Sequence, residues 1–160
     1  MIVSIFIRDI ITSKSIMYIP NVPNNSLTKE INEIVQLTKQ LQETRKFVFN
    51  EPCSDEEISD WEKKHNIKIP NTFADWLRFS NGSTLRGNVA ELYGLNGIEF
   101  NVSGFDQDCV IIGSLIGDGV VICFSKRNGK IFTDDHGDIT EYDSLNEILE
   151  EVIYEINAMW

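Results

Sequence analysis

Residues 134–138, Asp-Asp-His-Gly-Asp, gather three carboxylates and one imidazole within five positions of the chain. Such groups can bind a divalent metal ion or serve as the acid and base of a hydrolytic reaction. A metal or hydrolytic centre normally recruits further His or Cys side chains from elsewhere. The other histidine, His65, lies on the apolar side of a predicted helix. We therefore predict a polar turn between two strands at 134–138. A small hydrolase or metal-dependent enzyme is the alternative.

The other segments with chemically active residue types are weaker candidates for a catalytic site. Residues 113–119, Gly-Ser-Leu-Ile-Gly-Asp-Gly, are glycine-rich but lack the Gly-Lys-Ser/Thr of a phosphate-binding loop. Asp106 and Asp108 lack the spacing of an EF-hand calcium loop. No serine or cysteine has a base that the sequence can assign to it. We expect no catalytic residue, no bound metal and no cofactor.

Acidic residues dominate the charge of the chain and are unevenly distributed. The net charge is −11, from 14 Lys and Arg against 25 Asp and Glu. Residues 1–50 carry +2 and residues 51–160 carry −13, and from residue 131 onwards there are nine acids and no Lys or Arg. A surface of this sign repels the nucleic acid backbone, so we expect no nucleic acid partner. It is either a solvated face or a surface that attracts a basic protein.

Acids in loops and turns are the better candidates for partner binding, because the apolar stripes of the predicted helices face inward. Asp108, in the loop before the predicted strand Val-Ile-Ile-Gly, is the first of these to test. The complete candidate set comprises Asp106, Asp108, Asp118, Asp134, Asp135 and Asp138.

The N-terminal segment is apolar but does not have the features of a targeting sequence. No basic region precedes the apolar run, Arg8 and Asp9 interrupt it, and no small-residue cleavage site follows. We predict a strand at residues 2–7 and a loop at 18–25, with initiation at Met17 as an alternative. The run is also too short to span a membrane. Three widely spaced cysteines without a CxxC suit a reducing cytoplasm, where we place the protein.

Hydrophobic periodicity and capping signals predict four helices. The first is capped by Asn25 or Ser26 and extends to about Lys46. Ser54 and Glu57 have the spacing of a capping box, and so do Ser144 and Glu147. The remaining three helices are predicted at 54–66, 71–80 and 144–157. Their apolar positions should form one core, made of Trp61, Phe73, Trp76, Leu77, Ile148, Val152 and Ile156.

Between Leu85 and Tyr142 short apolar runs alternate with Gly and Asn, which is typical of strands and turns. Asn128-Gly129 predicts a two-residue hairpin, since both residue types tolerate positive φ. Helices, then strands, then one helix indicate an α+β fold rather than alternating βαβ units. We predict a single domain over residues 1–160: an antiparallel-rich sheet with N-terminal helices and a C-terminal amphipathic helix.

The order of these motifs resembles the SUKH superfamily, which includes bacterial toxin-immunity proteins and the yeast cell-wall-synthesis regulator. The resemblance covers residues 54–156. It begins with the acidic helix Glu-Glu-Ile-Ser-Asp-Trp, followed by an Ile-Pro step, an aromatic helix and Asn-Gly. The later motifs, in chain order, are Ile112-Gly113, Gly117-Asp118-Gly119, a hairpin, Asp135-His136 and the closing amphipathic helix.

This resemblance implies a protein that binds other proteins and is not an enzyme. Bacterial members are intracellular immunity proteins that neutralise a toxin, often a nuclease or deaminase, and eukaryotic members are regulatory scaffolds. The expected partner is accordingly a cognate toxin, and the acidic charge suits a basic one such as a nuclease. A regulatory scaffold of the same fold is the alternative. The resemblance transfers no binding residue.

Overall fold

The computed structural model describes residues 17–115 and 119–159, and the strand predicted at 2–7 lies outside these residues. Four helices lie in the described part: α1 Thr28–Leu41, α2 Asp55–His65, α3 Asn71–Leu77 and α4 Leu145–Ala158. A 3-10 turn spans Leu95–Gly97. The strands are β1 Val48–Phe49, β2 Ser83–Leu85, β3 Ala90–Leu92, β4 Glu99–Phe100, β5 Cys109–Leu115, β6 Val120–Ser125, β7 Ile131–Asp135 and β8 Asp138–Tyr142. The α+β prediction is confirmed.

Local capping explains where two of the helices begin and end. Ser54 and Glu57 form the predicted capping box at the start of α2, and the Ser54 hydroxyl accepts the Glu57 N–H at 3.1 Å. Helix α1 is shorter than predicted. It begins after Leu27 and ends at Leu41, because Gln42 adopts a left-handed conformation with φ of 52°. The prediction of a helix capped by Asn25 or Ser26 and extending to about Lys46 was wrong at both ends, since Leu27 is the cap and the helix ends at Leu41.

The capping box predicted at the start of α4 is also wrong, because Ser144 precedes the helix without a side-chain cap bond. Instead, the N–H of Leu145 donates to Thr72 Oγ1 at 3.1 Å, so a residue of α3 serves the first turn of α4. Thr72 is 73 positions from Leu145 in the chain, so a pattern of locally spaced residues cannot predict this hydrogen bond.

The eight strands form one antiparallel sheet in the order β1-β2-β3-β5-β6-β7-β8, and β4 also pairs with β5. The middle of β5 contains an irregularity between Ile111 and Gly113. Gly113 is needed there because a Cβ atom at this position would lie 2.3 Å from the carbonyl oxygen of Glu91. No parallel pair occurs between the described strands, as the sequence predicts for residues 85–142.

The two late hairpins differ from the prediction in their turns. Strands β6 and β7 are joined at Asn128-Gly129 as expected, but the turn is longer than two residues and only Gly129 has positive φ. The two-residue turn occurs instead between β7 and β8, at His136 and Gly137, with φ of 53° and 96°. Two successive positive φ values are the mark of a type I′ turn. The polar turn predicted at 134–138 is therefore present.

The helices cover one face of the sheet and leave the other face largely without helices. The covered side holds the main core, which contains the seven predicted core residues, with Trp76, Phe73, Leu77 and Ile148 fully buried. A smaller apolar cluster lies on the opposite side, the open face. Its buried members are Cys109, Ile111 and Cys123, and Tyr93, Val102, Phe105, Val121 and Phe132 pack against them.

Candidate partner-binding surface

A shallow groove of about 280 Å³ follows β7 and β8 on the open face of the sheet. We call it the open-face groove. Phe132 and Ile139 supply apolar side chains, and Ile139 is 49% exposed. The charged lining consists of the carboxylates Asp106, Asp108, Asp134 and Glu141, with Arg127 and Lys130 near one end.

The register of the β7–β8 hairpin places these side chains together. Asp134 pairs with Ile139, and Phe132 pairs with Glu141, so each strand contributes one apolar and one acidic group. Because side chains two residues apart in a strand share a face, all four lie on the open face. The type I′ turn at His136-Gly137 fixes this register, since a slip of β8 by one residue would move Ile139 and Glu141 to the other face.

The three acids of the turn segment differ in their surroundings. Asp134 Oδ1 accepts the N–H of Gly137 at 2.7 Å and therefore holds the turn closed. Asp135 Oδ1 lies 2.9 Å from His136 Nδ1, and both side chains are mostly exposed. Asp138 is exposed opposite Asp135. Asp135 and Asp138 thus lie on the hairpin tip beyond the open-face groove.

Asp108 joins the loop before β5 to the β6–β7 hairpin. Its Oδ1 accepts the N–H of Arg127 at 2.8 Å, and its Oδ2 accepts the hydroxyl of Ser125. The Ser125 hydrogen bond is the largest influence that holds the pKa of Asp108 below its usual value. Asp106 in turn accepts the N–H of Asp108 at 2.8 Å. Asp108 is therefore charged at neutral pH and is fixed by its own fold.

Of the six acids singled out in the sequence, three line the open-face groove, namely Asp106, Asp108 and Asp134. Two lie on the hairpin tip, and Asp118 lies outside the described residues. The sequence reasoning missed Phe132, Ile139 and Glu141. A signal was present, because placing a type I′ turn at His136-Gly137 would have paired Phe132 with Glu141 and Asp134 with Ile139.

Two of the three buried cysteines, Cys53 in the main core and Cys123 below the groove, are poor nucleophiles. The hydrogen bond with Cys109 and burial raise the pKa of Cys123. Burial, followed by the charge of Glu57, raises the pKa of Cys53 to about 12. A thiol reacts as its thiolate, so Cys53 and Cys123 are unreactive near neutral pH. Within residues 17–115 and 119–159, no group of three or more His, Cys, Asp or Glu side chains could hold a metal ion.

A second acidic surface lies along the outer face of α4. Glu147, Glu151 and Glu155 follow one another at intervals of four residues, and Glu150 lies beside them. With Val89, Leu115 and Val152 they line a groove of about 540 Å³, which we call the α4 groove. Like charges four residues apart on a helix repel each other. The α4 groove has four carboxylates and no Lys or Arg among its described lining residues.

No helix in the described part of the chain combines the length and the apolar character needed to cross a bilayer. The described residues thus form two acidic grooves that also contain apolar side chains.

Comparison with known proteins identifies the family of the chain. The family model described as the SMI1/KNR4 family (SUKH-1) matches residues 52–151. The match runs from just before α2, through all the strands after β1, to the middle of α4. The uncharacterized protein YnaB of Bacillus subtilis (strain 168) is 32% identical over 121 residues, which cover 70% of this chain and 83% of that protein. The chain belongs to the SMI1/KNR4 family (SUKH-1).

Proposed function

We propose that this chain is a cytoplasmic immunity protein that neutralises a cognate bacterial toxin by binding it directly, without catalysis. The partner is a basic protein such as a nuclease. Family membership supports a role in protein binding, and the open-face groove is the observation that carries the choice of surface. It places four carboxylates around two accessible apolar side chains, Phe132 and Ile139.

The chemistry of a nuclease explains why this surface would fit. A nuclease must be basic where it holds phosphate, so an acidic inhibitor is attracted to the same region and can cover it. Carboxylates at the rim raise the association rate, whereas the apolar contact that excludes water governs dissociation. The open-face groove offers both, since Asp134 and Glu141 flank Ile139 and Phe132.

The charge of the open-face groove is only partly compensated from within the protein. Lys130 lies 3.2 Å from Glu141, and both side chains are more than half exposed. An exposed pair of this kind contributes only about 0–1 kcal/mol, so a partner's cation can replace Lys130 at little cost. Of the six charged groups in the lining, four are carboxylates. The groove therefore remains attractive to a basic partner.

The test is co-expression with the product of the neighbouring gene, followed by association kinetics of the purified pair over a range of salt concentrations. Steering by charge predicts slower association as salt rises, because the Debye length falls from ~10 Å at 0.1 M to ~3 Å at 1 M. The double variant Asp134→Lys with Asp135→Lys should lower the association rate, and so should Glu141→Lys, which leaves the bond between Asp134 and Gly137 in place. Ile139→Ala should raise the dissociation rate.

The matched control is Glu150→Lys with Glu155→Lys in the α4 groove, which changes the net charge equally. If the control slows association and the Asp134 and Asp135 variant does not, the toxin binds at α4 and the choice of surface is wrong. If the neighbouring product neither binds nor loses its toxicity, the immunity function itself is refuted. A regulatory scaffold of the same family is then the next hypothesis.

A further inference from the structure

A third pocket, which shares no lining residue with either acidic groove, lies between α2 and the segment from the 3-10 turn to β4. We call it the Trp61 pocket, and its volume is about 550 Å³. Trp61 and His65 enter it from α2, and Phe100 enters it from β4. On the helix, Glu57, Asp60, Trp61 and Lys64 all face the pocket, because residues three and four apart share one side of a helix.

Three aromatic rings form a continuous wall of the Trp61 pocket. The ring centroids of Trp61 and His65 are 4.6 Å apart, and those of His65 and Phe100 are 5.1 Å apart. The Trp61 and Phe100 rings meet edge to face at 6.4 Å. His65 and Phe100 are partly exposed, whereas Trp61 is 8% exposed. The wall is thus fixed by its own packing and still presents ring surface to an incoming group.

Two carboxylates, Glu57 and Asp60, line the Trp61 pocket together with these rings. Glu57 uses Oε1 for the capping box, where it accepts from the N–H and the hydroxyl of Ser54, both at 3.1 Å. Asp60 is exposed one turn further along the helix. Lys64 is the cation of the pocket lining, so two carboxylates and three rings face one lysine. The negative ring faces of Trp61 and Phe100 and the carboxylates attract the same kind of group, a cation.

One ring of the wall already attracts a cation from within the protein. Lys126 Nζ lies 5.9 Å from the centroid of the Phe100 ring and 3.3 Å from Asn101 Oδ1, outside the Trp61 pocket. The side of Phe100 that faces the pocket has the same electrostatic character. The surface of the pocket therefore favours a positive group that is flat enough to lie against a ring.

We propose that the Trp61 pocket binds an arginine side chain from a partner protein. A guanidinium is planar, so it can stack on the aromatic wall while its N–H groups donate to Asp60 and Glu57. A lysine ammonium is compact and strongly hydrated and would gain less from the ring faces. An anion would meet two carboxylates. The pocket is separate from the open-face groove, so it would act as a second, independent contact for the toxin of the proposed function.

A peptide titration tests this without the toxin, so its failure and that of the proposed function are distinguishable. The probe is acetyl-Gly-Arg-Gly-amide, followed by ¹⁵N NMR of the full chain. The control peptide replaces arginine with citrulline, which keeps the shape and removes the charge. The arginine peptide should shift the Trp61 indole N–H and the amides of residues 57–65 and 95–100, and the citrulline peptide should not.

Two variants keep the test independent of folding. Asp60→Asn changes an exposed residue and should weaken the arginine peptide about two- to fivefold, as expected for one exposed ion pair. Phe100→Leu keeps an apolar side chain, removes the ring and should weaken binding by a similar factor. Asp143→Asn, an exposed acid elsewhere, is the matched control and should leave binding unchanged. Equal shifts with citrulline, shifts centred on Asp134 and Ile139, or an unchanged affinity of both pocket variants would overturn the proposal.

Discussion

Replacing Arg86 should destabilise the fold more than any other substitution of a charged residue that we consider. Its side chain is 9% exposed, and its guanidinium connects three segments of the chain. Nη1 donates to the carbonyl oxygens of Ile156 at 2.5 Å and Met159 at 2.8 Å, at the end of α4. Nε and Nη2 donate to Glu43 at 3.0 and 3.2 Å, in the loop that follows α1.

The size of the effect follows from these four bonds. Truncation in Arg86→Ala leaves two carbonyls at the end of α4 without their donor, and each buried unpaired group costs about 1–3 kcal/mol. The ion pair with Glu43 is lost as well. Glu43 is 27% exposed and regains water when Arg86 is removed, so the two carbonyls set the expected total, about 2–4 kcal/mol. This is a large part of the ~5–15 kcal/mol that stabilises a typical domain.

Urea denaturation followed by tryptophan fluorescence measures this loss. Arg78→Ala is the control, because Arg78 also contacts two carboxylates, Asp55 and Asp75, but its side chain is 38% exposed. We expect that control to lose about 1 kcal/mol, as exposed pairs do. Arg86 has a φ of 48°, which favours glycine. Arg86→Gly should therefore be more stable than Arg86→Ala by about 1 kcal/mol.

A loss below 1 kcal/mol in Arg86→Ala, or a loss no larger than that of Arg78→Ala, would refute this reasoning. The pH dependence of the stability provides a second test. The hydrogen bond from Arg86 lowers the pKa of Glu43. A carboxyl whose pKa is lower in the folded state stabilises the fold above its unfolded value and stops doing so as the pH falls through the folded pKa. The loss of stability on acidification should therefore be smaller in Arg86→Ala than in the wild type.

Three further predictions concern the core, the β6–β7 hairpin and chemistry. Trp76→Ala should cost about 3–5 kcal/mol in urea titration, because Trp76 is fully buried and donates to Ser83 Oγ at 3.2 Å; a loss under 1 kcal/mol would contradict its place in the core. Asp108→Asn should speed hydrogen exchange of the Arg127 backbone N–H, which donates to that carboxylate. An unchanged exchange rate would argue against a structural role for this hydrogen bond. The purified protein should show no hydrolytic turnover, and a stoichiometric metal lost in His136→Ala would contradict this.

The sequence alone was sufficient for the elements whose signals are local. The capping box at Ser54 and Glu57 depends on two residues three apart, and the structure contains it. The apolar stripe from Leu145 to Ile156 and the strand runs between Leu85 and Tyr142 predicted the closing helix and the antiparallel sheet, and both are present. Periodicity suffices in these cases because each pattern records which side of one element is removed from water.

The hydrogen bonds at the two ends of α4 are made with residues far away in the chain, and local patterns did not predict them. Ser144 has the spacing of a cap, yet Thr72 accepts the N–H of Leu145. The C-terminal end of α4 is completed by Arg86, 70 positions before Ile156. Hydrogen bonds between residues so far apart in the chain form only when the elements are already packed, so no spacing in the sequence records them.

The candidate site shows the same division. Composition and position in the chain indicated an acidic surface formed by loop and turn residues, and three of the six acids named from the sequence do share one groove. The apolar part of that groove, Phe132 and Ile139, was decided by the pairing of β7 with β8. Alternation along a strand shows that two faces exist, but only packing decides which of them the helices cover.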